Sequence, residues 1–409
     1  MGIELQMAWR NLWRQPRRTW LTVGAMVFAN ALLVFLLSLQ LGMYKMMLDA
    51  GLRPFTGHLQ VQQADYLEDQ KLRQSVPAVA DLAETLRSEL GVDAVSARGA
   101  AFALASSEER SYGVQVVGVD PDHERSVSTI PSLVRQGRFF EDGDAAEVVI
   151  GSLLAKNLRA DLGDELTLLG TGHDGSFAAG VAVIVGIFES GLAEMDRNLI
   201  ELPLGYFQDT FAMNGAGHSV VVQVDRIAEV PKLVARAEEL LPEGQDLAVR
   251  DWDALQPGLR QSIQSDLTSG MFTYLILVVL VAFSVLNTQL MSVLERTKEF
   301  GVMTALGVGP RRLGRLVFLE TALLGFLGAA LGIALGLVLL AFFARVGVSF
   351  PGLAELTAKF GLPGRIYPQF SWIGAVAGPA FVYLATMVAA IYPAVRLRFL
   401  EPVAAMRTA

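Results

Sequence analysis

Between residues 295 and 320 the chain reads ERTKEFGVMTALGVGPRRLGRLVFLE, a charged, glycine-punctuated segment between two strongly apolar runs. GVGPRRLG has the glycines of a phosphate cradle. It lacks the Lys–Ser/Thr pair of a phosphate loop and follows no soluble strand, so nucleotide chemistry is not expected there. The four histidines, at 58, 123, 173 and 218, form no H-x-x-x-H pair and read as solvated loop residues. EDGDAAE (141–147) has carboxylates for a cation but not the spacing of a calcium loop, and reads as a solvated turn before a strand. No G-x-S-x-G elbow occurs. With no cysteine, disulfides and thiolate metal sites are excluded. The chain is therefore not expected to be an enzyme or to bind a cofactor or metal.

ERTKEFGVMTALG reads instead as a short helix. Phe300, Met303, Thr304 and Leu306 offer an uneven apolar surface beside Glu295, Arg296, Lys298 and Glu299. Gly307 and Gly309 permit a sharp turn, and Pro310 suits the first turn of the next helix. That helix has a basic start in Arg311, Arg312 and Arg315, with Glu320 placed to pair with Arg315 or another rim arginine, or simply to lie in the interface. A rigid charged helix with a few apolar anchors suits docking in another protein's groove.

These features need elements to position them, and composition names the class. The 409 residues are 52% hydrophobic with a mean hydropathy of +0.42, too apolar for an ordinary soluble domain and too charged for an all-membrane chain. Trp20–Met43, Met271–Leu294, Leu316–Val346 and Trp372–Val395 each reach the roughly 20 residues that cross a bilayer. The first run is too long for a signal peptide and no A-x-A-like site follows, so a retained anchor is expected. Arginines before the first span, between the second and third, and after the fourth put those segments on the cytoplasmic side. Residues 45–268 then lie outside, with 18 Lys and Arg against 35 Asp and Glu, a balance of −17. No nucleic-acid footprint appears.

The expected organisation is a cytoplasmic segment over 1–18, spans over 19–44, 269–294, 316–346 and 371–395, and an external domain over 45–268. Residues 295–315 form the charged helix and turn, 347–370 a short external loop, and 396–409 a cytoplasmic tail. Leu5, Ala8, Trp9, Leu12 and Trp13 fit either an interfacial amphipathic helix or a basic flank with interfacial tryptophans. Both ends of the external domain read strand–helix–strand, which suggests a ferredoxin-like α+β subdomain with an inserted mainly β subdomain over roughly 126–215. Gly325, Gly328, Gly332 and Gly336 line one face of the third span, a packing surface whose partner is internal or a second subunit. Asn30, Gln40, Ser284, Asn287 and Gln289 are expected to hydrogen-bond between helices.

At Arg296, Glu299, Phe300, Gly301, Ala305, Leu306, Gly307 and Glu320 the chain resembles the FtsX/MacB-type permeases of ABC transporters, whose signature is R-x-x-E-[IF]-G-x-x-x-A-L-G. The ending YPAVRLRFLEPVAAMR, with Pro393, Ala394, Arg396, Pro402 and Ala405, is similar too. QGRFFEDGDAAEVVIGSLLAKNLRADLGDELTLLG resembles the MacB-type periplasmic core, and GHLQVQQADY the lipoprotein-releasing LolC and LolE permeases, the nearest in layout. The resemblance implies a permease of the bacterial inner membrane that works by mechanotransmission as a homo- or heterodimer. It implies two copies of a separate ATPase holding ATP and magnesium, a periplasmic chaperone or adaptor, surrounding lipid, and a lipoprotein-like or other amphiphilic cargo. Residues 295–307 would be the coupling helix. Export of drugs, peptides or lipids through an adaptor, and activation of a cell-wall hydrolase without transport, are the alternatives.

Overall fold

The computed structural model describes residues 3–349, 351–352 and 364–397. Residues 353–363 of the external loop and the tail from 398, with Arg398, Pro402, Ala405 and Arg407, lie outside the described residues. The chain divides into two compact units: Met1–Lys45, Ile263–Ser349 and Arg365–Ala409 form one, Met46–Ser262 and Phe350–Gly364 the other.

The larger unit is built on ten strands: β1 (Leu59–Gln63), β2 (Val95–Ser106), β3 (Ser111–Val119), β4 (Val134–Gly137), β5 (Glu147–Gly151), β6 (Glu165–Thr171), β7 (Phe177–Phe188), β8 (Leu199–Pro203), β9 (Ser219–Val222) and β10 (Leu247–Asp251). At one end they run β10-β1-β9-β2, every neighbour antiparallel. Helices Val79–Leu90 and Val230–Glu239 bury Leu82, Leu86, Val230 and Ala237 in a core with Val61, Val95 and Val220. The twelve-residue β2 changes partners along its length. Val95–Arg98 pair with β9, whereas Ala103–Ser106 pair with β6. Because β3, β8, β5, β7 and β6 follow in turn, the pairing returns to β2 and closes a six-stranded barrel. Closure removes the free edges these strands would otherwise expose.

Period-2 alternation fills the barrel. Ala103 and Ala105, Val114 and Val116, Leu166 and Leu168, and Ile200 and Leu202 point inward. Phe207, fully buried, plugs it from helix Leu204–Thr210. Gly99 and Gly118 make room for that ring, since a Cβ at either position would collide with it. The inserted β-rich body therefore begins within β2, earlier than residue 126, because half of one strand serves each subdomain.

The other unit is helical: Ile3–Leu12, Pro16–Leu52, Pro257–Glu295, Thr297–Ala305, Pro310–Val346 and Trp372–Arg396. Four of these are long and apolar enough to cross a bilayer. Pro16 and Pro310 open their helices, where a missing N–H costs nothing. Exposed Leu21, Phe28, Phe272 and Phe283 are the outward surface expected of helices that face lipid.

Candidate functional site

Arg296 precedes helix Thr297–Ala305, and Gly307 ends the segment at φ +95°, in the left-handed region that glycine enters without strain. The helix is fastened by Phe300, which is 1% exposed and packs with Val293, Leu313 and Val317. Burying a phenylalanine stabilises by roughly 1.5–3 kcal/mol, enough to fix the helix's rotation. Phe300 and the buried Gly301 thus face the chain's own core, which corrects the placement of Phe300 on an outward docking surface. Met303 and Thr304 are half-buried. Lys298, Val302 and Ala305 are exposed along one face, and Leu306 beside them is 80% exposed. Spacing alone did not single out Val302, because the phase of a nine-residue helix is set by what it packs on.

Charged residues brace this helix. Arg296 donates from Nη1 to both carboxylate oxygens of Glu320 at 3.1 Å, and from Nε to Glu299 at 3.3 Å, with its guanidinium 5.1 Å from the Phe300 ring. Asn11 donates to Glu320 at 2.7 Å, Arg14 to Glu299 at 3.1 Å and Arg18 to Glu295 at 2.9 Å. Glu320 is buried, and its partner is Arg296; Arg315 instead meets Glu4 at 3.5 Å. Arg311 and Arg312 are exposed. Asn11, Arg14 and Arg18 join a cluster whose other members lie 277 to 309 residues on; only the value of the two arginines as a basic flank was visible in sequence, and Asn11 was not singled out.

The glycine face meets the chain's own helices. A Cβ on Gly328 would lie 2.5 Å from Met26, one on Gly336 2.8 Å from Val34, and one on Gly332 would collide with Asn30. Gly325 faces Tyr383 and Met387 of the last helix. Without side chains there, the backbones of the first and third spans approach closely. Asn30 does not bridge helices: its Nδ2 donates to the Met26 carbonyl one turn back. Gln40 does bridge, donating to Asp266 at 3.1 Å.

Among the described residues no group of three or more His, Asp or Glu is arranged to hold a metal. Two histidines correct the expectation of solvated loops. His58 and His218 are each 1% exposed. His218 accepts the Ala100 N–H at Nδ1 and donates from Nε2 to the Leu72 carbonyl. Burial, above all, pushes its pKa down to about 4, and burial lowers that of His58 too. Both sit where strands begin, and residue type alone carried no sign of their burial. Nearby, Arg98 pairs with the fully buried Glu124, which also accepts from Ser96 at 2.9 Å. Glu201 on β8 is fully buried, and neither of its carboxylate oxygens has a partner. Desolvation and then the Glu124 charge raise its pKa well above the usual carboxylate range.

Comparison with known proteins places both parts of the chain. Residues 19–240 match the MacB-like periplasmic core domain and residues 271–402 the FtsX-like permease C-terminal domain. The lipoprotein-releasing system transmembrane protein LolC of Neisseria meningitidis serogroup B is 25% identical over 321 residues, covering 75% of either chain. The macrolide export ATP-binding/permease protein MacB of Escherichia coli is 27% identical over 98% of this chain and 60% of its own length. The crystal structure of the periplasmic region of MacB from Actinobacillus actinomycetemcomitans aligns with half of this chain and 93% of its own, at a TM-score of 0.37 and 15% identity.

Proposed function

The chain belongs to the FtsX/MacB-type ABC transporter permeases, and from that premise we propose that it is the membrane subunit of a mechanotransmitting transporter whose ATPase is a separate protein. The observation that carries the reading is the exposed Lys298–Val302–Ala305–Leu306 face on a helix held from behind by Phe300 and by the Arg296–Glu320 and Arg14–Glu299 pairs. A helix braced in this way can pass on a displacement instead of absorbing it. Residues 295–307 are the coupling element, seated in one of two ATPase copies, each supplying ATP and magnesium chemistry that these 409 residues do not encode. Residues 45–268 lie in the periplasm, the amino terminus and the 295–315 segment in the cytoplasm, and two permease subunits pair in the inner membrane. The β10-β1-β9-β2 order supports a ferredoxin-like subdomain carrying the closed β body.

Cargo is the finer part of the proposal. A lipoprotein-like or other amphiphilic molecule released toward a periplasmic chaperone is favoured by the balanced 75% coverage shared with LolC. Export through an adaptor is the second reading, supported by the MacB likeness over 98% of this chain. The test of coupling is ATPase association and stimulation in reconstituted complexes. Leu306→Asp and Val302→Asp are expected to lower both by about tenfold, the effect of placing a charge in an apolar contact. Unchanged association in both variants would remove residues 295–307 as the coupling element. For cargo, depletion is expected to leave lipoproteins in the inner membrane; normal sorting would favour adaptor-linked export.

A further inference from the structure

Of the four apolar helices, Pro257–Glu295 is the one the chain itself covers least: 6% of its apolar stretch is buried, against 50, 22 and 28% for the others in chain order. Ile276, Leu280, Phe283, Asn287, Met291 and Leu294 are all exposed along it. Their steps of four, three, four, four and three residues keep them within about 80° of the helix circumference. They form one narrow seam.

Acyl chains satisfy the apolar members of that seam, but not Asn287. This residue stands eight positions before Glu295, about 12 Å along the helix. It is therefore inside the roughly 30 Å of hydrocarbon. Asn287 is exposed there, and among the described residues its carboxamide meets no hydrogen-bond partner. The other amides of the spans are sheltered: Asn30 donates to the Met26 carbonyl, Gln40 donates to Asp266, and Gln289 is buried. On the same helix Thr273 and Thr288 return their hydroxyls to carbonyls one turn back. An unpaired amide in hydrocarbon is costly, and a second helix relieves it.

We infer that this seam is where two copies of the chain meet, with Asn287 paired to the partner's Asn287. The inference rests on the reading that two permease subunits pair in the membrane, and it names their contact. Both copies insert with one orientation, so their two-fold axis runs along the membrane normal. A residue near that axis meets its counterpart at the same depth. A carboxamide has two donors and an acceptor, so two of them related by the axis each donate to the other's Oδ1. Acyl chains offer no such group. The exposed surface of the seam amounts to roughly 700 Å2 a copy, near the ~800 Å2 per partner of a stable interface. One polar pair in an apolar seam also fixes register, because a shift of one turn sets each amide against Phe283 or Met291.

The chain has no cysteine, so single-cysteine variants can be oxidised without background from the chain itself. The test uses membranes holding two differently tagged full-length copies, each carrying Asn287→Cys, Phe283→Cys or, as a control on the third span, Phe326→Cys, which is 62% exposed. The first two should link the tags about tenfold more than the control. Linkage at the control alone, or at none of the three while native mass spectrometry finds wild-type dimers, overturns the seam and leaves subunit pairing standing. A monomeric wild type removes both. Linkage of Asn287→Cys only to an untagged protein makes the partner a different chain and overturns the inference as well. Independently of the cysteine variants, Asn287→Leu should weaken dimerisation about threefold to tenfold, read by energy transfer on dilution into lipid vesicles. Asn287→Gln should keep most of it. If Asn287→Leu pairs as well as wild type, the amides do not meet.

Discussion

Each unit holds an arginine–carboxylate cluster, one part-exposed and balanced in charge, the other buried with carboxylates in excess. Beside the coupling helix, Arg14, Arg18 and Arg296 meet Glu295, Glu299 and Glu320; every carboxylate is taken, and every arginine has one. In the external unit one guanidinium, Arg98, stands near Glu124 and Glu201, and the surplus consists of acceptors. A part-exposed cluster in which every arginine has a carboxylate partner needs no further ion, whereas a buried one short of donors resolves itself by keeping a proton. The same residue types thus make an ion-pair network in one unit and a proton-holding site in the other.

The largest expected effect tests the acceptor-rich cluster. Arg98→Met leaves Glu124 without its countercharge, fully buried, and should destabilise the external unit by about 3–5 kcal/mol in chemical denaturation. A cost below about 1 kcal/mol would mean that the Ser96 hydroxyl and the surrounding packing hold Glu124 without the guanidinium.

Acidification comes next. Native His218 titrates at about 4 while the unfolded residue titrates near 6.5, so the unfolded chain binds more protons between those values. Stability should be complete above about pH 6.5 and fall by about 3 kcal/mol on going to about pH 4. The loss should be flattened in His218→Gln. An equally steep loss in that variant would assign the effect to other groups, His58 first.

Arg296→Met should cost less, about 2 kcal/mol, because Glu320 keeps the Asn11 amide and Glu299 keeps Arg14. Thermal unfolding in detergent measures it, and a cost matching that of Arg98→Met would erase the contrast between the clusters. The smallest effect belongs to Glu201→Gln. A carboxyl whose native pKa is raised contributes stability that is complete below about pH 4.3 and lost as pH rises. The variant should therefore gain about 1 kcal/mol over wild type at neutral pH, with the gap widening from acid to alkaline conditions. A constant gap would mean that Glu201 is already ionised.

Much of this architecture was legible in the residues. Apolar runs of span length identified four membrane helices because the bilayer imposes a length that sequence must supply. GDELTLLG and FAAGVAVIVGIF lie in the stretch read as mainly β, and much of each strand alternates buried with more exposed residues, whereas EVVIG is buried at four of its five positions. The glycine spacing on the third span marked a close approach, but the first span as its partner follows from helix order in space. Barrel closure was hidden because it depends on β2 giving one half to β9 and the other to β6, a choice made by long-range register. Phe300 was assigned to the wrong side of its helix. The segment is apolar on more than one face, and only the Val293–Leu313–Val317 cluster decides which face turns inward.

By itself, then, the sequence determined the division into spans, a charged helix and an acidic α+β domain, since hydropathy, periodicity and charge are local properties that solvent and bilayer act on directly. The tertiary structure alone decided which charges meet. Arg14 and Glu299 lie 285 residues apart, and Arg98 and Glu124 stand on different elements, so neither pair follows from spacing. The surplus of acceptors around Glu201 exists only after packing has removed water there, for it is desolvation that turns an unpaired carboxylate into a demand for a proton.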